Sequence, residues 1–257
     1  MSEQDMENHR STIVEQFSQQ AIPFAKVPGH LDSIQLLVEL AEVGKRDFVL
    51  DVACGPGLVA CEFARNSRQV IGIDITPAMI KQAESRQLQE NLENLSWRVG
   101  EAIPLDFPDD TFSLVITRYS FHHLLSPQVA LQEMIRVCQP GGRILVADVA
   151  MPADKSAAYD RLELMRDPSH THALSQDEFE GLFFGSGLLD CRQAAYGVEI
   201  ELEGQLAASF PSPGDKERLR DMIIADIGVN RTGVHPRIAG NVVSYTVPIA
   251  VFVGRKP

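Results

Sequence analysis

The chain has 257 residues and a formal net charge of −12 at pH 7, with 35 acidic residues against 23 Lys and Arg. This length is enough for one large domain with a substantial core. The negative charge disfavours a nucleic-acid backbone or an anionic membrane as the main partner, because either would favour a concentrated basic face.

Residues 1–46 are predicted to form a helical arm. Two helices are expected, at roughly 8–19 and 30–43, separated by the prolines and glycine of IPFAKVPGH (22–30). We expect this arm to pack over a ligand site as a lid. The first ten residues, MSEQDMENHR, are polar and acidic, whereas a signal peptide needs a basic start and an apolar run.

The rest of the chain gives no sign of a membrane span or a secreted scaffold, since no segment is apolar for ~18 residues. The four cysteines, at positions 54, 61, 138 and 191, show neither the close pairs of a zinc site nor the density of a disulfide scaffold. We therefore expect a cytoplasmic protein that does not insert into a membrane.

Strand and helix patterns alternate between residues 47 and 149, which predicts parallel strands joined by crossover helices. Thr76 and Ser126 are expected to cap two of these helices, each followed by a proline that tolerates the first position. The predicted strands are 47–53, 69–75, 95–99, 112–119 and 142–150, and the predicted helices are 58–66, 77–90 and 126–138. This order is typical of an α/β, doubly wound, Rossmann-like sheet.

Residues 151–257 are predicted to complete the same domain, which would span 47–257. A capping box at Ser175 and Glu178 opens a helix, and a strand-like pattern covers 188–202. The last pattern, 241–257, is a strand whose Pro248 indicates a position near an edge or a bulge.

The stretch VLDVACGPG, 49–57, joins a predicted strand to a helix through a glycine loop. Gly55, Gly57 and Ala60 fit the pattern G-x-G-x-x-A, and Asp74 ends the next strand. The glycines permit a tight turn and a close approach by a ligand, while the Asp74 carboxylate can accept hydrogen bonds from ribose hydroxyls. Both features suit any adenosine ligand.

Asp51 and Pro56 discriminate between adenosine ligands. Pro56 removes a backbone N–H that a pyrophosphate would need. Asp51 would lie beside that pyrophosphate, and two like charges ~5 Å apart cost on the order of 3 kcal/mol at an effective dielectric near 20. S-adenosylmethionine has no phosphate and carries an ammonium and a sulfonium, so the carboxylate would attract it.

Four motifs in this order resemble the class I S-adenosylmethionine-dependent methyltransferases, in particular the methyltransferase type 11 group that includes ubiquinone and menaquinone biosynthesis enzymes. The motifs are VLDVACGPG, IGIDITPAMI, GEAIPLDFPDDTFSLVITRYSFHHL and RVCQPGGRILVADV. The resemblance covers roughly residues 45–150. It implies a seven-stranded sheet with six parallel strands and one antiparallel strand. It also implies methyl transfer from S-adenosylmethionine to a small-molecule acceptor.

The same resemblance carries cofactor contacts onto positions of this sequence. Glu101 stands where the family more often has Asp, which keeps an acceptor but lengthens it. Arg118 would contact the methionine part through backbone atoms, which leaves its guanidinium for another role. The implied contacts are Asp51, Ala53, Gly55 and Gly57 at the methionine side and the loop, Asp74 at the ribose, Ile75, Glu101 and Ala102 at the adenine, and Arg118.

Three histidines are candidates for a catalytic base, because an imidazole titrates near neutral pH. His122 and His123 follow the fourth strand, and His170 lies in the segment after the fifth. The alternative for each is a structural role. His172 and Asp167 lie near His170, but no third ligand is evident, and no metal site is predicted.

Acceptor choice is expected to lie in the N-terminal arm around Phe17 and Phe24, in residues 151–173, and in helices between 203 and 228. Tyr119, Tyr159 and Arg166 are further pocket candidates. An NAD(P)-dependent oxidoreductase stays open as an alternative, as does a methyltransferase-like fold that binds the cofactor without transferring methyl. The patterns leave both a monomer and a homodimer open.

Overall fold

The computed structural model describes residues 2–24 and 33–257. Its strands form one mixed sheet. They are β1 (Phe48–Val52), β2 (Gln69–Asp74), β3 (Leu95–Val99), β4 (Phe112–Arg118), β5 (Cys138–Val149), β6 (Leu189–Glu201), β7 (Arg237–Ala239) and β8 (Val242–Arg255).

Helices cover both faces of this sheet. They are α1 (Glu3–Phe24), α2 (Ile34–Leu40), α3 (Leu58–Asn66), α4 (Pro77–Gln89), α5 (Pro127–Val137), α6 (Ala153–Arg166), α7 (Gln176–Phe184), α8 (Leu202–Ala208) and α9 (Asp215–Ala225), with a 3₁₀ turn at Phe121–His123. Helix α1 is longer than the predicted helix at roughly 8–19. The Phe24 side chain and the predicted start of the second helix, at 30–32, lie outside what the structure describes. None of the described helices is long and apolar enough to cross a bilayer.

The sheet has the order β3-β2-β1-β4-β5-β8-β6, with β7 paired to β8. Strands β1 to β5 are parallel, and β8 is antiparallel to both β5 and β6. Strand β6 therefore runs in the direction of β5. The predicted Rossmann-like sheet of six parallel strands and one antiparallel strand is confirmed, and the short β7 adds a strand that the sequence reasoning missed.

Pro248 does not mark an edge, so that prediction is wrong: β8 lies between β5 and β6. The Pro248 carbonyl accepts the Ala150 N–H at 3.1 Å. The nitrogen and carbonyl of one strand residue face the same side, so the missing N–H of Pro248 faces β5 just where β5 ends at Val149. An interior strand tolerates proline there because the N–H that Pro248 lacks would face Ala150, the first residue beyond the end of β5.

Side chains of the parallel strands enter apolar clusters on both faces of the sheet. In β1, Val49 packs into one cluster, while Leu50 and Val52 pack into the other. This alternation explains why the strands are nearly continuous apolar runs. Cys54, Cys61 and Cys138 are buried in the same interior, Cys191 is partly buried, and none of the four is in a disulfide.

Helix capping agrees with the sequence at one of three predicted positions. Ser175 accepts the Glu178 N–H at 3.3 Å, and the Glu178 side chain accepts the Ser175 N–H at 2.7 Å, which confirms the capping box. Thr76 and Ser126 make no side-chain cap bond, so those two predictions are wrong. The Thr76 N–H is bound instead by the Asp74 carboxylate, at 2.8 Å.

Replacing Ser175 by Ala should lower the free energy of unfolding by about 1 kcal/mol, because the Glu178 N–H at the start of α7 loses its side-chain acceptor. Urea unfolding followed by circular dichroism measures this loss. Ser126→Ala is the matched control and should cost less, since Ser126 precedes α5 without a cap bond. Equal losses in the two variants would contradict the assignment.

Candidate active site

The carboxyl ends of β1, β2, β4 and β5 meet at one edge of the sheet, where open α/β sheets bind ligands. A cavity of about 780 Å³ lies there, and α1 covers one side of it. Residues predicted to hold the cofactor line this cavity: Asp51, Ala53, Gly55, Asp74, Ile75, Glu101, Ala102 and Arg118. Gly57 is the exception and does not line the cavity.

Asp51 is a fully buried carboxyl group beside the glycine loop. It is 1% exposed, and no described residue donates a hydrogen bond to its Oδ2. Burial raises the pKa of Asp51 to about 8, with a smaller contribution from the Asp74 charge. A carboxylate held this way is stabilised by a cation entering the cavity and destabilised by an anion.

Asp74 holds the glycine loop in place. Its Oδ2 accepts the Gly55 N–H at 2.9 Å, and its Oδ1 accepts the Thr76 N–H at 2.8 Å. Burial raises the pKa of Asp74, while the two N–H donors oppose that rise. The carboxylate therefore fixes the loop geometry and also faces the cavity.

The two glycines of the loop have different surroundings. Both have positive φ, 52° at Gly55 and 78° at Gly57. A Cβ on Gly55 would have no atom within 4 Å, whereas a Cβ on Gly57 would lie 2.8 Å from the Trp97 ring. Gly55 thus leaves room in the cavity, and Gly57 permits close packing in the interior.

Glu101 and Arg118 are both engaged by other side chains. Arg10 of α1 forms an ion pair with Glu101 across the cavity mouth. The Arg118 guanidinium donates to the Tyr119 hydroxyl at 2.8 Å and lies 4.2 Å from that ring, and the Tyr119 hydroxyl lies 3.0 Å from that of Tyr196. The Arg118 guanidinium, which the sequence reasoning left for another role, thus binds the Tyr119 side chain of this tyrosine pair.

His122 lines the cavity and is bound to a buried carboxylate. Its Nδ1 lies 2.5 Å from Oδ1 of Asp148. The same oxygen accepts the Val149 N–H at 2.7 Å, and Oδ2 of Asp148 accepts the Phe121 N–H at 2.6 Å. Burial lowers the pKa of His122, but the facing Asp148 carboxylate more than reverses this effect, so the pKa lies above its ordinary value. His122 is therefore oriented and is the more basic of the two cavity histidines.

His123 also lines the cavity but belongs to a different network. Its Nδ1 lies 3.1 Å from the Ser169 hydroxyl, which donates to Asp167 at 2.5 Å, and Gln20 of α1 donates to the same carboxylate at 2.9 Å. Burial lowers the pKa of His123 to about 3. His123 is therefore a neutral side chain whose Nδ1–H points to serine.

His170 does not reach the cavity. Its side chain is 0% exposed, and its Nε2 donates to Asp160 at 2.8 Å. His172 donates to the other oxygen of Asp160 at 2.7 Å. The partner of both rings is Asp160 and not Asp167. Because the His170 ring is buried outside the cavity, it is not placed to act as a base there. Among the described residues, no group of three or more His, Cys, Asp or Glu side chains could hold a metal ion.

The part of the cavity lined by α6 contains a charged residue that the sequence reasoning left out. Glu163 lines it beside Arg166, whose Nε donates to Glu163 at 2.8 Å. Tyr159 and Arg166, both predicted pocket candidates, line it too. Glu163 lies on the same face of α6 as Tyr159 and Arg166, a spacing that could have predicted its place in the cavity. Asp148 interrupts the apolar run at 144–149, which could have marked it as a functional residue.

The sheet order, the glycine loop and the carboxylates at the strand ends define the class I methyltransferase fold. Comparison with known proteins agrees: residues 50–146 match the Methyltransf_11 family, described as a methyltransferase domain. The resemblance inferred from the sequence motifs is thus confirmed: residues 50–146 are similar to a type 11 methyltransferase domain, and the chain has a Rossmann-like fold.

Individual relatives are similar over most of the chain. The uncharacterized methyltransferase YcgJ of Bacillus subtilis is 29% identical over 75% of this chain and 77% of its own length. Its crystal structure superimposes with a TM-score of 0.80, covering 88% of this chain and 99% of that one at 25% identity. The ubiquinone/menaquinone biosynthesis C-methyltransferase UbiE of Pseudomonas putida (strain F1) is 28% identical over 86% of this chain and 77% of its own length.

Proposed function

We propose that this protein transfers a methyl group from S-adenosylmethionine to a small-molecule acceptor and releases S-adenosylhomocysteine. The observation that carries the proposal is the buried Asp51 oxygen without a described donor, beside the open space at Gly55. A cation with an adenosine part satisfies both features. A nicotinamide dinucleotide does not, because its pyrophosphate would lie against Asp51.

The surroundings of the cavity support a cofactor position along the sheet edge. Asp51, with Ala53, Gly55 and the backbone of Arg118, would hold the methionine part. Asp74 would accept the ribose hydroxyls. The adenine would lie against a small group of residues around the ends of β2 and β3: Ile75, Glu101 and Ala102. When bound, S-adenosylmethionine would supply a methyl group on a positively charged sulfur. An electron pair of the acceptor would attack the methyl carbon, and the sulfur would leave.

The protein's own part is to align the acceptor and to exclude water. Residues 1–46 form an arm in this proposal, and α1 acts as a lid over the domain at 47–257. Support comes from three contacts of α1: Arg10 pairs with Glu101, His9 donates to the His123 carbonyl at 2.7 Å, and Phe17 packs edge-on against the His123 ring. These contacts reach both parts of the cavity. The cofactor half lies around Asp51 and Glu101, and the acceptor half lies beside His123 and α6.

Calorimetric titration tests the proposal directly. The purified protein, stripped of co-purified ligand, is titrated with S-adenosylmethionine, with S-adenosylhomocysteine and with NADH. Binding of the first two and not of NADH is expected. Binding of NADH alone would overturn the proposal.

Binding of S-adenosylhomocysteine should release a proton at neutral pH. Asp51 has a pKa of about 8 without a bound cation, so it holds a proton below that pH. The ligand's ammonium favours the ionised form of Asp51. The affinity of the protein for S-adenosylhomocysteine should therefore rise by up to about tenfold per pH unit between roughly pH 6 and 8. Calorimetry in buffers of different ionisation enthalpy counts the released proton. An affinity that falls over this range would contradict the role of Asp51.

A further inference from the structure

Within the proposed methyl transfer, on which this inference rests, we infer that His122 is the proton acceptor, that Asp148 is its positioning residue, and that the acceptor is a neutral molecule with a hydroxyl group on an apolar body. The chemical class is that of phenols and alcohols. The argument rests on the geometry of two neighbouring histidines and on the charges and walls around them.

Asp148 fixes which nitrogen of His122 faces the cavity. The carboxylate only accepts hydrogen bonds, and its lowered pKa keeps it ionised despite its burial, since His122 and two backbone N–H groups favour the charged form. Nδ1 of His122 must therefore carry the hydrogen that lies between the two side chains. Nε2 is left with its lone pair, and no described residue donates to it.

The backbone of His122 is held in place as well. The Thr171 N–H and hydroxyl both donate to the His122 carbonyl, each at 2.8 Å, which ties the 3₁₀ turn to the segment after α6. The side chain of His122 is 10% exposed, that of Asp148 only 1%. The open part of this pair is therefore on the imidazole, which lines the cavity.

His123 cannot take the same role, although it is adjacent. Its Nδ1–H points to Ser169, whose own hydrogen goes to Asp167. No carboxylate of the described residues contacts the His123 ring directly, and the ring packs 4.1 Å from His122 and 5.0 Å from Phe17, centroid to centroid. A second positive charge in this position would be poorly solvated and repelled by a protonated His122.

The charge balance of the cavity disfavours an acceptor that enters as an anion. The groups whose charges act on His122 are Asp148 of β5 and Glu163 and Arg166 of α6, while Asp167 and His170, which follow α6, act on the adjacent His123. Carboxylates outnumber the arginine in this set. An acceptor that enters neutral and loses its proton at the reaction step avoids this repulsion.

Apolar side chains from three elements line the acceptor half. Phe17 faces from α1, and strands β6 and β8 contribute Val198, Ile200, Val247 and Ile249. These surfaces favour an apolar body and leave one polar end near His122.

The proposed step balances in protons and electrons. The acceptor's O–H gives its proton to Nε2 of His122, and the oxygen keeps the bonding pair and forms a bond to the methyl carbon. The electrons of the broken carbon–sulfur bond stay on sulfur, which becomes neutral. The imidazolium, stabilised by Asp148, then loses its proton to solvent.

The test uses 4-nitrophenol as a probe, because its ionised form absorbs at a wavelength where its neutral form does not. The probe is added to the full-length protein saturated with S-adenosylhomocysteine, at a pH where the free probe is mostly neutral. A bound fraction that is ionised beyond the free probe at the same pH is expected. His122→Asn should bring that fraction back to the value in free solution, and Asp148→Asn should lower it in part.

Two controls keep the outcomes distinct. His235→Asn removes an exposed imidazole outside the cavity and should leave the phenolate signal unchanged; asparagine tolerates the positive φ of 48° at that position. Nitrogen NMR should find hydrogen on Nδ1 of neutral His122 in the wild type and a mixture of tautomers in Asp148→Asn, a readout that a purely structural role would not move.

The inference is overturned if the wild type shows no bound phenolate, or if His122→Asn retains it. Failure of the proposed function would look different, because S-adenosylhomocysteine itself would not bind to the wild type. For a phenol that is methylated by the wild type, His122→Asn should lower the rate by about 100-fold or more while the affinity for S-adenosylhomocysteine stays within about threefold.

Discussion

Replacing Asp51 by Asn should weaken binding of S-adenosylhomocysteine by about 1 to 3 kcal/mol, which is roughly 5-fold to 150-fold in dissociation constant. The carboxylate oxygen is buried and has no described donor, so a ligand ammonium would be its main partner. Asparagine keeps the size and removes the charge. Calorimetry at pH 8 measures the loss under conditions where about half of the wild-type carboxyl is already ionised before the ligand binds.

The same substitution should affect stability in the opposite direction. The pKa of Asp51 is raised in the folded protein from 3.8 to about 8, so the contribution of Asp51 to stability is fully present below pH 3.8 and is lost as pH rises towards 8. Without ligand, the wild type should therefore lose stability relative to Asp51→Asn between those pH values. Urea unfolding at pH 5 and pH 8 measures the difference.

Asp106→Asn is the control for charge alone. Asp106 is exposed and does not line the cavity, so its substitution should leave affinity for S-adenosylhomocysteine unchanged. If Asp51→Asn binds the ligand as well as Asp106→Asn does, Asp51 does not hold a cation.

The second large effect should separate Gly55 from Gly57. Gly55→Ala places a methyl group in the open space of the cavity and should weaken binding of S-adenosylhomocysteine by about 1 to 3 kcal/mol through overpacking. Gly57→Ala places its methyl group 2.8 Å from the Trp97 ring and should act mainly on the free energy of unfolding. Both variants share a cost of about 1 to 2 kcal/mol for the left-handed backbone.

Trp97 reports the difference because it is the single tryptophan of the chain. Its Nε1 donates to Gln87 at 2.7 Å, and Gly57→Ala should displace the ring and change its fluorescence. Gly55→Ala should leave that fluorescence as in the wild type. Equal loss of affinity in both variants, with unchanged fluorescence in both, would mean that the two glycines serve the same purpose.

The order of strands and helices was predictable because local patterns determine it. Apolar runs of the length of β1, β2 and β4, separated by helix starts at Pro77 and Pro127, leave few arrangements other than parallel strands with crossover helices. The predicted positions of Asp51 and Asp74 followed from the same reasoning, since the carboxyl ends of parallel strands share one edge. The cavity found there is lined by both residues.

Partners distant along the chain were not predictable. Arg10 meets Glu101 only because α1 packs beside the cavity, and Pro248 lies inside the sheet only because β5 ends beside it. Thr76 gives its N–H to Asp74 and makes no side-chain cap, although its local sequence favours one. In each case a tertiary contact decided what a local preference had left open.

The sequence by itself determined the fold class, the glycine loop and the carboxylates at the strand ends, because strand periodicity and turn chemistry are properties of neighbouring residues. Only the tertiary structure decided which histidine is oriented by a carboxylate and which is held neutral. His122 and His123 are adjacent in the chain, yet one faces Asp148 and the other Ser169, and that difference arises from elements that the chain brings together only on folding.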